Sequence, residues 1–112
     1  MIFKIKQKGK VIILKALVKR LEADIAEEIK KELSELVNKK TKIMVIDISD
    51  VDFIDSSGLG AIIFTYKLLK GKGRIAIAGA KEGVKSILQL TRMDRLFQIF
   101  ENTKEAVNIL SV

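Results

Sequence analysis

The stretch Lys42-Ile43-Met44-Val45-Ile46-Asp47-Ile48-Ser49-Asp50-Val51-Asp52-Phe53-Ile54-Asp55-Ser56-Ser57-Gly58-Leu59-Gly60 changes character twice along its length. From Ile43 to Ile46 the apolar residues are continuous instead of alternating, the pattern of a strand covered on both faces in a parallel sheet. At its far end Asp55, Ser56 and Ser57 stand before a segment with helical apolar spacing. Asp and Ser are favoured helix N-caps, and Gly58 and Gly60 allow another backbone to come close. The stretch therefore predicts a buried strand over Lys42–Ile48, a polar loop and the start of a helix.

Working outward, Leu59, Ile62, Ile63, Tyr66 and Leu69 share one helical face, and Gly71 is a plausible C-cap. Arg74 to Ala78 predicts a short strand, and Val84, Ile87 and Leu88 mark a third helix. Leu96 to Phe100 predicts a last strand. A final helix follows from Lys104 to about Leu110, with Ala106, Ile109 and Leu110 inward. Upstream, Ile25, Ile29, Leu33, Leu36 and Val37 align on a helix from Glu22 to about Asn38. Its first turns carry Glu22, Asp24, Glu27 and Glu28, which suit the positive end of a helix dipole. Met1–Lys6 and Lys10–Leu17 read as strands joined through Gln7, Lys8 and Gly9. The order is ββαβαβαβα, an α/β class with a mixed, mostly parallel sheet of about five strands and about four helices. The N-terminal hairpin adds the antiparallel edge. The chain has 112 residues, so residues 1–112 are expected to form a single domain. Open sheets of this kind place function beyond the carboxyl ends of their strands, which directs attention to the segment after Ile48.

Composition narrows the chemistry. The chain has no His and no Cys. That removes Ser-His-Asp and Cys-His nucleophile arrangements, zinc sites built on imidazole or thiolate, iron-sulfur clusters and thiol redox chemistry. Four carboxylates, Asp47, Asp50, Asp52 and Asp55, lie close together, so a magnesium site must be weighed against turn and cap roles. Turn and cap roles are the commoner fate of Asp at such positions, and no metal or other cofactor is expected. No residue pattern supports hydrolysis, and an enzyme is not expected.

The net charge of +7 is N-terminal: residues 1–20 carry Lys4, Lys6, Lys8, Lys10, Lys15, Lys19 and Arg20 and no acidic residue. Such a run can face nucleic acid or anionic lipid, but Lys4 and Lys6 alternate with Phe3 and Ile5, as on a solvated edge strand. Phe3 is the one aromatic among these residues, so stacking platforms for single-stranded nucleic acid are missing and no direct nucleic-acid partner is expected. No window approaches the roughly 18 apolar residues of a membrane span, and the N-terminus lacks a signal peptide's apolar run. A cytoplasmic protein without membrane contact is the expectation.

The run Phe53-Ile54-Asp55-Ser56-Ser57-Gly58-Leu59-Gly60, together with Val45 to Asp52 before it, resembles the signature of STAS-domain anti-sigma factor antagonists. The hairpin, the helix containing Ala26-Glu27-Glu28-Ile29-Lys30 and the tail from Val84 also fall where that family has them. The resemblance implies a STAS-like domain that binds an anti-sigma factor, itself a serine kinase, and so releases a sigma factor. It implies that the kinase phosphorylates Ser56 to switch binding off and that a serine phosphatase resets the site. It further implies a monomer, with a partner-binding surface from Asp55, Ser56, Ser57, Gly58 and Leu59 and the turn at Leu21 and Glu22. One departure stands out. The family's Gly-x-Leu-Asp aligns with Lys19-Arg20-Leu21-Glu22, which puts partner choice in question. A STAS-like scaffold that is not phosphorylated and binds a nucleotide or another signalling partner is the alternative.

Overall fold

The structure is a computed structural model and describes residues 1–37 and 43–111. Strands β1 (Phe3–Lys8) and β2 (Val11–Ala16) form the hairpin, followed by a two-residue strand β3 (Arg20–Leu21). A 3-10 turn at Ala23–Ile25 leads into helix α1 (Ala26–Val37). Then come β4 (Ile43–Asp47), a second two-residue strand β5 (Phe53–Ile54) and α2 (Ser56–Leu69). The chain closes with β6 (Arg74–Ala78), α3 (Glu82–Leu90), β7 (Gln98–Phe100) and α4 (Thr103–Leu110). The main sheet has the order β1-β2-β4-β6-β7, antiparallel between β1 and β2 and parallel thereafter. β4 is central, and Met44, Val45 and Ile46 are fully buried, as the continuous apolar run requires.

Parallel order forces helices onto the faces. The larger core joins Phe3, Leu14, Met44, Ile46, Ile75 and Ile77 of the sheet to Ile29, Leu33, Leu59, Ile62, Val84 and Leu88 of α1, α2 and α3. Tyr66 meets Phe97 edge to face there, with ring centroids 5.5 Å apart. On the opposite face Val11, Ile13, Val45, Ala76, Ala78 and Phe100 pack against Ala106 and Leu110 of α4. That second face is therefore only partly covered.

Several boundaries differ from those expected. The strands of the hairpin run to Lys8 and from Val11, leaving Gly9 and Lys10 as the turn, and Gly9 adopts φ +59°. The left-handed backbone at that corner favours glycine. α1 starts at Ala26 because Ala23–Ile25 is a tighter 3-10 turn, and the expected ends at Asn38 and Lys42 lie outside the described residues. The last strand begins at Gln98 because a second 3-10 turn occupies Met93–Arg95. Ile109 is 49% exposed, contrary to expectation, since α4 meets the sheet through Ala106, Val107 and Leu110. The pairing of β3 with β5 as a second small parallel sheet was not expected at all.

Candidate functional site

The carboxyl end of β4 opens into the loop that leads to α2, and the geometry there is organised around Asp55. Its Oδ1 accepts from Gly58 N at 2.9 Å, capping α2, while Oδ2 accepts from Ala23 N at 3.1 Å, capping the 3-10 turn before α1. Its own N–H donates to Leu21 O at 3.1 Å. One aspartate thus ties the starts of two helices to the β3 strand, which a cap pattern alone does not require. Asp55 lies at a strand-to-helix junction because Phe53 and Ile54 pair with Arg20 and Leu21, and this pairing fixes where α2 begins.

Gly58 occupies the tightest point. A Cβ there would lie 2.2 Å from Leu21 O and 2.8 Å from Leu21 C. Only the absence of a side chain lets the first turn of α2 rest on the β3 backbone. Gly60 differs, since a Cβ there would meet nothing within 4 Å. Leu21, Gly58 and Leu59 are buried, so these expected contact residues shape the surface from beneath. Ser56 is exposed at the first position of α2, Ser57 and Glu22 are half-buried, and the bonds that hold the junction together run through Asp55 and the backbone without Ser56 Oγ.

A charged rim surrounds this junction. The Arg20 guanidinium stacks on the Phe53 ring at 4.4 Å from its centroid and bonds Glu22 Oε1 at 3.1 Å. The hydrogen bond to Glu22, followed by that residue's charge, raises Arg20 above its ordinary pKa. Asp52 pairs with Lys81, whose hydrogen bond is the main reason that the Asp52 carboxyl is held below the usual carboxylate range. Asp50 pairs with Lys15 at 3.5 Å, and Asp47 Oδ1 accepts from Ser49 N at 3.0 Å. The four carboxylates are thus engaged separately in caps, turns and ion pairs. Among the described residues no group of three or more His, Cys, Asp or Glu could hold a metal ion.

Sequence reasoning placed Asp55, Ser56, Ser57, Gly58, Leu59, Leu21 and Glu22 together, and the structure brings all seven to one junction. It did not find Phe53 as the platform for Arg20, nor Lys81 as the partner of Asp52. Lys81 follows β6, whose parallel neighbour is β4, so the shared sheet edge at which the two strands end was the available signal.

A model of the STAS domain family matches residues 3–106. A Thermotoga maritima protein, a candidate anti-sigma factor antagonist, is 34% identical over 74 residues, which is 65% of this chain and 66% of that one. The crystal structure of a candidate anti-sigma factor antagonist from Thermotoga maritima superposes with a TM-score of 0.88 over 98% of this chain and 95% of that one, at 30% identity. The anti-sigma F factor antagonist of Paenibacillus polymyxa is 24% identical over 103 residues, covering 90% of this chain and 88% of that protein. In fold alone the chain also resembles the Bacillus cell fate determinant SpoIIAA in its phosphorylated form. There the TM-score is 0.71 at 16% identity, over 96% of this chain and 98% of that one. Among the described residues no helix is long and apolar enough to cross a membrane.

Proposed function

Since the chain belongs to the STAS domain family, we propose that it is an anti-sigma factor antagonist switched by phosphorylation of Ser56. In its unphosphorylated form it binds an anti-sigma factor that is also a serine kinase, and the sigma factor is released. A serine phosphatase reverses the modification. On this reading residues 1–112 act as one module and one chain in the cytoplasm. The protein is a binding partner and kinase substrate with no cofactor, and it does no catalysis of its own.

The observation that carries this reading is the contrast between two adjacent residues. Asp55 is committed to the fold through both carboxylate oxygens, whereas Ser56 stands exposed at the start of a 14-residue helix. A kinase can reach that hydroxyl without disturbing the junction. A phosphate there adds roughly 1.5 to 2 negative charges, and a helix N-terminus tolerates an anion. The switch therefore acts by placing charge and bulk on the docking surface, and α2 stays folded. Ser57 and Glu22 complete that surface, while Asp55, Leu21, Gly58 and Leu59 hold it in shape. Lys19-Arg20-Leu21-Glu22 stands where the family has Gly-x-Leu-Asp, and the Arg20–Glu22 pair at that rim biases partner choice.

The test is incubation with the cognate kinase and ATP. Mass measurement is expected to show one phosphate, located at Ser56 and abolished by Ser56→Ala. Ser56→Asp is expected to weaken anti-sigma factor binding with circular dichroism unchanged. Phosphate on Ser57 alone, or a Ser56→Asp protein that unfolds, would overturn the account.

A further inference from the structure

The outer edge of the main sheet carries features that the proposed switch leaves unused. Among the described residues β1 pairs only with β2 and, after Phe3, every one of its residues is exposed. Leu17 N donates to Ile2 O across the hairpin, so even-numbered residues of β1 bond inward to β2. The N–H and C=O groups of Ile5 and Gln7 therefore point away from the sheet.

The two faces of this strand differ in chemistry. Lys4, Lys6 and Lys8 stand opposite Lys15, Ile13 and Val11, which places the row of lysines on the α4 face. Successive members are roughly 6.6 Å apart by the strand rise. At the Lys8 end α4 comes alongside, and Lys104 lies near Lys8 across a shallow depression that includes Ile13 and Val107. Among the described residues no ion pair engages Lys4, Lys6, Lys8 or Lys104. Ile5, by contrast, faces α1 with its partner Leu14, and is 53% exposed. It lines a groove of about 420 Å³ with Met1, Leu14 and Leu36, walled by Glu28, Glu35 and Lys31, while Glu32 beside them accepts from the N–H groups of Ile2 and Phe3.

We propose that β1 is a docking edge for an extended segment of a partner protein in which acidic and apolar residues alternate. Added as a further strand, such a segment bonds Ile5 and Gln7 through its backbone. Its acidic side chains then fall beside Lys4, Lys6 and Lys8, while its apolar side chains fall on the other face, into the groove beside Ile5 and Leu36. Glu28, Glu32 and Glu35 outnumber Lys31 in that groove, so a segment docked one residue out of register sets its acidic residues on a face of net negative charge. A second copy of this chain is a poor occupant. Pairing β1 with a copy of itself sets one lysine row against the other on the same face. The same lysines that keep like chains apart select an acidic guest.

The probe is an acetylated, amidated peptide in which Glu alternates with Ile and Val, compared with a peptide of the same composition whose Glu residues are contiguous. The alternating peptide is expected to bind, to slow amide hydrogen exchange at Ile5 and Gln7, and to leave the already bonded amides of Lys4 and Lys6 unchanged. Lys6→Glu is expected to weaken binding about tenfold or more, equivalent to about 1.4 kcal/mol, with circular dichroism unchanged. Exchange in the unsubstituted protein tests the proposal even if that variant fails to fold. Equal binding of the two peptides would overturn it. So would unchanged exchange at Ile5 and Gln7, or binding of anionic vesicles or a DNA oligonucleotide to this edge while the alternating peptide stays inert.

Discussion

Replacing Gly58 by Ala tests the architecture of the site at its tightest point. The added Cβ would lie 2.2 Å from Leu21 O, well inside van der Waals contact, and the atom it meets is backbone. Leu21 O also accepts from Asp55 N at 3.1 Å, so moving it aside weakens that bond and the β3–β5 pairing. Overpacking of this kind costs about 1 to 3 kcal/mol, and a weakened hydrogen bond about 0.5 to 1.5 kcal/mol. Alanine's better helix propensity returns about 1 kcal/mol, leaving a net loss of about 2 kcal/mol. At roughly 4 °C per kcal/mol for a domain of this size, Tm falls by about 8 °C. Gly60→Ala is the control, chemically identical and two residues along the same helix. Nothing lies within 4 Å of a Cβ there, so only the propensity gain operates. Its Tm is expected to rise by up to about 4 °C. Thermal unfolding followed by circular dichroism measures both. Shifts of the same sign, or a Gly58→Ala protein as stable as the parent, would refute the close approach of α2 to Leu21.

Asp55→Ala removes both carboxylate bonds of the junction, and the urea midpoint is expected to fall by the equivalent of about 2 kcal/mol. Asp55→Asn keeps one acceptor oxygen and is expected to lose about half as much. Asp52 has a depressed folded-state pKa, with the Lys81 hydrogen bond as the leading cause, so its contribution is fully present above its unfolded value of about 4. It is lost as pH falls through the lower folded value. The stability difference between parent and Asp52→Asn, measured as urea midpoints, is therefore expected to shrink below about pH 4, and to be smaller in high salt because both groups are exposed.

Long-period patterns carried most of the fold. The uninterrupted apolar run at Ile43–Ile46 announced a strand buried on both faces, and β4 is the centre of the main sheet. Helical spacing at Ile29 and Leu33, at Leu59 and Ile62, and at Val84 and Leu88 identified the three helices of the larger core. Errors fell where elements are short. Spacing alone puts Ile109 inward, because α4 spans only Thr103–Leu110, too few turns for a pattern to exclude a neighbouring face. The strand expected from Leu96 begins at Gln98, since a 3-10 turn of three residues has no periodicity to read.

The amino-acid sequence by itself determined the order of the main-sheet strands and the four helices, the helix start at Asp55-Ser56 and the concentration of positive charge in the N-terminal hairpin. These follow from propensity, spacing and composition, which are properties of neighbours along the chain. Tertiary structure alone decided that Arg20–Leu21 pairs with Phe53–Ile54, that Asp55 caps Ala23 as well as Gly58, and that Gly58 rests on Leu21 O. It also decided that the lysines of β1 share the sheet face on which α4 packs, with the groove beside Ile5 and Leu36 on the other face. A two-residue strand cannot display the alternation that would reveal it, and a bond from Asp55 to Ala23 spans 32 residues. Such contacts exist only once the sheet has brought distant segments together.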